Sequence, residues 1–322
     1  MARTRLVLAC VLLAAIAVGC GKKPAKSPVT TTSGDAAKKP DAKPDATPGE
    51  GAQAGGVWSA EKVTEIAEGL AAPESILPDP ANKQVYVSNV EAAEGAEWTD
   101  DAKAYIMLLE ADGKVKNAKW LESKAEQPLN GPKGMCVLNG KLYFADNRQL
   151  KRCDAANGAN PEHVGIAGRQ LNDVATDGKA AWVSDMEAGK IYRVDPAGGI
   201  KEVKAPAAVN GVTCWKDKVF AVSWGQHDIY EIDPAGEKDP TAFGLADQFK
   251  NLDGIEVLDD GTFVVSDNTA GKVFTVGADR KTVKVLAEIE TPADIGIDRA
   301  AGMLYVPQLR SNKVVIFKLT KK

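Results

Sequence analysis

The sequence is poor in the residues that most metal, redox and nucleic-acid chemistry needs. Histidine occurs only at His163 and His227. The cysteines are Cys10 and Cys20 near the N-terminus, then Cys136, Cys153 and Cys214. No C-x-x-C or Cys/His spacing is present, so zinc and dithiol chemistry have no ligand pattern. The last three cysteines cannot all pair within one chain. They read as small buried apolar residues, with a single disulfide left open. A basic excess is also missing: the formal charge is −4, and the aromatics are not interleaved with Lys or Arg. That excludes a nucleic-acid track. There is no phosphate-binding glycine loop. The stretch AVSWG, around Ser223, approaches a serine-hydrolase elbow but lacks its first Gly and a following helix. Ser88, Ser184 and Ser266 read as the same repeat place as Ser223, which makes it architectural. Helical periodicity is absent, except in part of residues 58–69.

One long apolar run exists, at the N-terminus. Arg3 and Arg5 precede residues 6–19, which end in small residues. This is the plan of an export signal and is too short to span a bilayer comfortably. The run closes on Ala17, Val18, Gly19 and Cys20, which resembles a bacterial lipobox. That resemblance implies cleavage before Cys20 and lipidation of its sulfur. Residues 21–56 contain almost no large apolar side chain and read as a disordered tether. The expected organisation is a signal over 1–19, a lipid-attachment Cys and linker over 20–56, and a folded domain over 57–322. The domain would be held at the bacterial cell envelope, periplasmic or surface-facing, touching the membrane only through its anchor.

The folded part is repetitive. LNDVATDGKAAWVSD, starting at Leu171, has counterparts starting at Ala72, Gly131, Val209, Leu252 and Ala293. Each has a polar or small pair, a short apolar strand, a turn and a second strand. A third strand follows several of them, as in KIYRVDPAGG, where Pro and Gly suit a tight reversal. A fourth short run closes the unit. Four antiparallel strands in a period of about 40 residues is the pattern of a β-propeller blade. The expected fold is all-β: a six-bladed β-propeller. The sixth copy lacks a fourth strand, and residues 62–70 supply a spare one before the first blade. Used as the outer strand of blade six, it would close the ring and remove an exposed sheet edge. The competing reading of this segment as helix leaves blade six incomplete. The first copy stands 59 residues ahead of Lys133. Its extra length falls in a charged loop over residues 91–103.

In a propeller the first strand of each blade runs along the central channel. The leading residues of the polar pairs, Glu74, Lys133, Asn172, Asn210, Asp253 and Ala293, should therefore ring one mouth. Glu74, Asn172, Asn210 and Asp253 supply hard oxygen ligands suited to Ca²⁺ or another hard divalent ion. Without a cation the two carboxylates would repel. For each Asn or Asp alone, a simple turn role competes with this reading; Glu74 is a poor turn residue. Lys133 adds an ammonium, either functional or a solvated rim lysine. Trp224, Asp185 and Asn268, at second-strand ends, should crowd the same mouth.

These motifs, PES, LND, VNG and LDG in order and at blade spacing, resemble the family of senescence marker protein, gluconolactonase and luciferin-regenerating enzyme. The resemblance runs over residues 57–322. It implies that Glu74, Asn210 and Asp253 hold a metal, that Asn172 is a ligand or substrate contact, and that Asp253 does acid–base work in lactone opening. The family's substrate-binding Arg is Gln170 here, a departure that implies a different substrate from the family's. Ser75 stands where a second structural calcium would need a carboxylate. The implied function is metal-dependent hydrolysis of a small lactone or ester. The alternative is a non-catalytic propeller that binds a small ligand such as a sugar acid, or a protein partner. Propellers do both, and the sequence does not choose.

Overall fold

The structure, a computed structural model, describes residues 57 to 322. The expected signal, Cys20 and the linker lie outside the described residues. The described chain forms six sheets of four antiparallel strands each. The inner strands are Pro73–Asp79, Pro132–Leu138, Leu171–Thr176, Val209–Trp215, Leu252–Val257 and Gly296–Asp298. The second strands are Gln84–Asn89, Lys141–Asp146, Ala181–Asp185, Lys218–Ser223, Phe263–Asp267 and Met303–Gln308. Among the described residues the only helix is one 3-10 turn, Ala246–Gln248. This is the six-bladed propeller that the repeat predicts.

The ring closes through Trp58–Ile66, which pairs antiparallel with the third strand of blade six, Lys313–Lys321. The expected closing strand is residues 62–70. The strand actually starts at Trp58, and the chain turns after Ile66, where Leu70 N donates to Ala67 O. The strand reading wins over helix because the edge of Lys313–Lys321 would otherwise leave its backbone groups unpaired.

Adjacent blades meet in apolar clusters made by the alternating faces of their strands. Between blades four and five, Phe220, Phe243 and Phe263 pack edge to face, with centroids 4.9 Å apart for Phe220–Phe263 and 5.1 Å for Phe243–Phe263. Each large apolar side chain buried this way contributes about 1.5–3 kcal/mol. Cys136, Cys153 and Cys214 are all free thiols. Burial pushes the Cys153 thiol up to about 12, so it behaves as a small hydrophobe. The disulfide left open by the sequence is not formed.

Candidate functional site

In five blades the inner strand carries one extra residue at its start. Pairing skips from Pro73 to Ser75, Pro132 to Met135, Leu171 to Val174, Val209 to Val212 and Leu252 to Ile255. Such a bulge re-aims a side chain and frees a backbone amide. Serines take up the freed amide: Ser75 N donates 2.9 Å to Ser88 Oγ, Asp173 N 2.9 Å to Ser184 Oγ, and Gly254 N 2.8 Å to Ser266 Oγ. Ser223 does not share this place. It pairs with Val209, as Asp185 pairs with Leu171, and so stands one position later. Its hydroxyl bonds Ala207 O at 2.7 Å and Gln226 N at 2.9 Å, so it remains architectural.

The bulges bring Glu74, Lys133, Asn172, Asn210 and Asp253 around one cavity of about 190 Å³. All five side chains are buried. Trp224 and Asn268 also line it, with Met186, Leu309, Glu97, Trp98 and Arg310. Ala293, the sixth ring position, is buried without lining the cavity. Asp185 and Gln170 are not brought there. Both Asp185 oxygens turn to the loop ahead of its own blade, accepting from Arg169 N at 2.9 Å and Gln170 N at 3.0 Å. Asp146 and Asp267 hold the loops of blades two and five in the same way. Period alone could not separate this loop-holding carboxylate from a mouth residue.

The sequence reading missed Glu97, Trp98 and Arg310. The only trace of the first two was the extra length of residues 91–103. That insertion folds over the mouth. Lys133 Nζ donates 3.1 Å to Glu97 O and lies 4.3 Å from the centre of the Trp98 ring. The Glu97 carboxylate pairs with Arg310 of blade six. Asn147 Nδ2 reaches Asp100 at 2.8 Å, and Arg148 reaches it at 2.6 Å. Blades two and six thus clamp the insertion from both sides.

The cavity holds buried oxygen atoms with no partner: one carboxylate oxygen of Glu74 and the side-chain carbonyls of Asn172 and Asn210. Asn210 Nδ2 donates 3.2 Å to Asp253 Oδ1, which turns its carbonyl oxygen away from that contact. Unpartnered buried acceptors are costly and point to a missing donor or cation. The donor set is all oxygen and includes two carboxylates, so it fits a hard cation. Burial pushes the Glu74 carboxyl well up, with Lys133 opposing. Burial and the neighbouring Asp173 push Asp253 up to about 7. Burial lowers Lys133, and Glu74 pulls it back.

Below the ring, the second members of the pairs plug the channel. Gly134, Gly211 and Gly254 leave room for close strand approach, while Ser75, Asp173 and Asp294 fill the axis. Ser75 Oγ donates 2.6 Å to Asp294 Oδ2, and Asp173 Oδ2 accepts from Val212 N at 2.7 Å. Burial raises both carboxyls, Asp173 to about 7.

No protein-family model matches the chain, and no curated protein matches it. The gluconolactonase resemblance therefore has no support from sequence comparison. Solved structures share the fold. A catalytically inactive virginiamycin B lyase variant from Staphylococcus aureus, with quinupristin, has a TM-score of 0.58 at 15% identity, over 82% of this chain and 100% of that one. A protein of unknown function from Bacteroides thetaiotaomicron has a TM-score of 0.60 at 13% identity, over 81% of this chain and 72% of that one. A chain of a nidogen/laminin complex has a TM-score of 0.54 at 16% identity, over 67% of this chain and 85% of that one. At these identities the likeness establishes that the chain is a β-propeller.

Proposed function

We propose that the mouth binds one hard divalent cation of the calcium type through Glu74, Asn210 and Asp253, with Asn172 as a fourth ligand or ligand contact, and holds a small organic molecule beside it. The observation that carries this reading is the set of unpartnered buried oxygens on Glu74, Asn172 and Asn210 around one cavity. When bound, such an ion polarises a carbonyl and lowers the pKa of a bound water. The chain's own contribution to hydrolysis of a lactone or ester is then proton handling by Asp253, whose carboxyl is pushed up to about 7 by burial and Asp173 in the ion-free protein and would be lowered by a bound cation. Trp224 and Trp98 supply apolar walls and exclude water.

A second reading is binding without turnover. The clamped insertion over the mouth favours it, because a closed roof suits retention of a ligand. The lyase neighbour was inactivated by replacing a histidine with alanine. Neither His163 nor His227 lines this cavity, so lyase chemistry of that kind is not carried over. The run ending in Cys20, which resembles a lipobox, supports a lipid anchor at the cell envelope.

The test is melting of the purified protein with calcium and with chelator. A ligand bound only by the folded state raises stability by mass action. Calcium should raise the melting temperature, and Glu74→Gln and Asp253→Asn should each remove most of that gain. A lactone and ester screen then separates the two readings: Asp253→Asn should abolish any turnover even at saturating calcium. If millimolar calcium leaves the wild-type melting curve unchanged, the cation reading is wrong.

A further inference from the structure

The cavity is lined by acceptors and by one ammonium, which stands between Glu74 and Asn172 in the order of the blades. Glu74, Asn172, Asn210 and Asp253 provide the oxygens. No ion pair among the described residues joins Lys133 to either carboxylate, although the Glu74 charge acts on it through space. Among the described residues its one hydrogen bond goes to Glu97 O, and its ammonium lies against the Trp98 ring. The remaining ammonium hydrogens have no hydrogen-bond acceptor among the described residues. Such a side chain, buried to 1% exposure, needs a counter-charge.

Resting on the cation reading above, the charges can be counted. Glu74 and Asp253 neutralise a divalent ion. Glu97 and Arg310 neutralise each other. Lys133 is left over, so the charged side chains that line the cavity, with the ion added, carry one net positive charge. Its volume of about 190 Å³ exceeds that of a cavity that accepts benzene, about 150 Å³. Met186, Leu309 and Trp224 give it an apolar wall.

We propose that the mouth's ligand is a small organic monoanion of the carboxylate class, and that Lys133 recognises its charge while Trp98 and the Glu97 carbonyl hold the ammonium in position. Lys133 and the bound cation then both attract the anion. Trp98 lines the cavity and also positions the Lys133 ammonium.

The test uses the purified full chain loaded with calcium, at constant ionic strength. Propionate is the probe, and propionamide is the uncharged control of the same size. Propionate should raise the melting temperature and propionamide should not. In Lys133→Met the calcium gain should persist, while propionate affinity drops about tenfold or more. Trp98→Ala should weaken propionate less than Lys133→Met does, and Trp98→Phe should restore most of the loss. The wild-type comparison decides the matter even if a variant folds poorly. Equal effects of propionate and propionamide, or none from either, with the calcium gain intact, would overturn the anion proposal and leave the cation reading standing. No response to calcium or to propionate overturns both.

Discussion

Lys133 Nζ and Glu97 O meet at 3.1 Å although 36 residues separate them. The contact ties the roof of the mouth to its wall, and the Glu97 side chain ties the same loop to blade six through Arg310. Glu97→Gln removes the charge and keeps the backbone contact. It should lower the melting temperature only modestly, because Arg310 is 31% exposed and keeps contact with water while Glu97 is 14% exposed, and a partly exposed ion pair is worth about 1 kcal/mol. It should speed ligand entry and exit, measured by stopped-flow with a fluorescent carboxylate. Unchanged rates would show that the latch does not gate the mouth.

Acidity should act on the ion-free protein in an unusual direction. Asp253 and Asp173 are pushed up to about 7 from ordinary values of 3.8, and Glu74 and Asp294 are also raised. The folded state binds these protons more tightly than the unfolded state. The resulting stability is full below about pH 4 and is lost as pH rises through about 7. Carboxyls lowered to about 2, such as Asp260 and Asp279, act only at lower pH. With chelator present, thermal melting should therefore fall between about pH 5 and about pH 8, and calcium should flatten the fall.

The glycines behind the ring should be intolerant. A Cβ on Gly211 would stand 2.4 Å from Asp253 O, and one on Gly254 would stand 2.5 Å from Ile295 N. Both obstacles are backbone, so the inner strands would have to separate. Gly211→Ala should cost about 1–3 kcal/mol or more in denaturant unfolding and weaken calcium binding. Gly140→Ala meets no atom within 4 Å at φ +74°. It should cost about 1 kcal/mol and leave binding unchanged.

Closure makes a directional prediction. Removing residues 57–66 should expose the edge of Lys313–Lys321 and cause aggregation, seen by light scattering. Removing residues 21–50 should leave the melting temperature almost unchanged, since that segment has almost no apolar side chain to bury. Equal losses from both deletions would contradict the closing role.

Cys20→Ser tests the anchor. The wild type should partition with membranes into detergent and carry an acyl group by mass spectrometry, and the variant should be released. A wild-type chain recovered soluble and unacylated would remove the lipoprotein reading.

The repeat was legible because each blade solves one problem: an apolar strand pair with a polar start and a turn. Six recurrences of that pattern determined the propeller and placed Glu74, Lys133, Asn172, Asn210 and Asp253 at one mouth, since equal positions in a closed ring must converge. Other features have no period and depended on tertiary structure. Residues 91–103 read only as a charged loop, and where they lie is decided by contacts with Lys133, Asn147, Arg148 and Arg310, from two other blades. Asp185 and Ser223 also sit near the mouth ends of their strands. Whether such a side chain faces the cavity or its own loop is decided by the loop groups that meet it, Arg169 N and Gln170 N for Asp185 and Ala207 O for Ser223, and local sequence does not show where those groups lie.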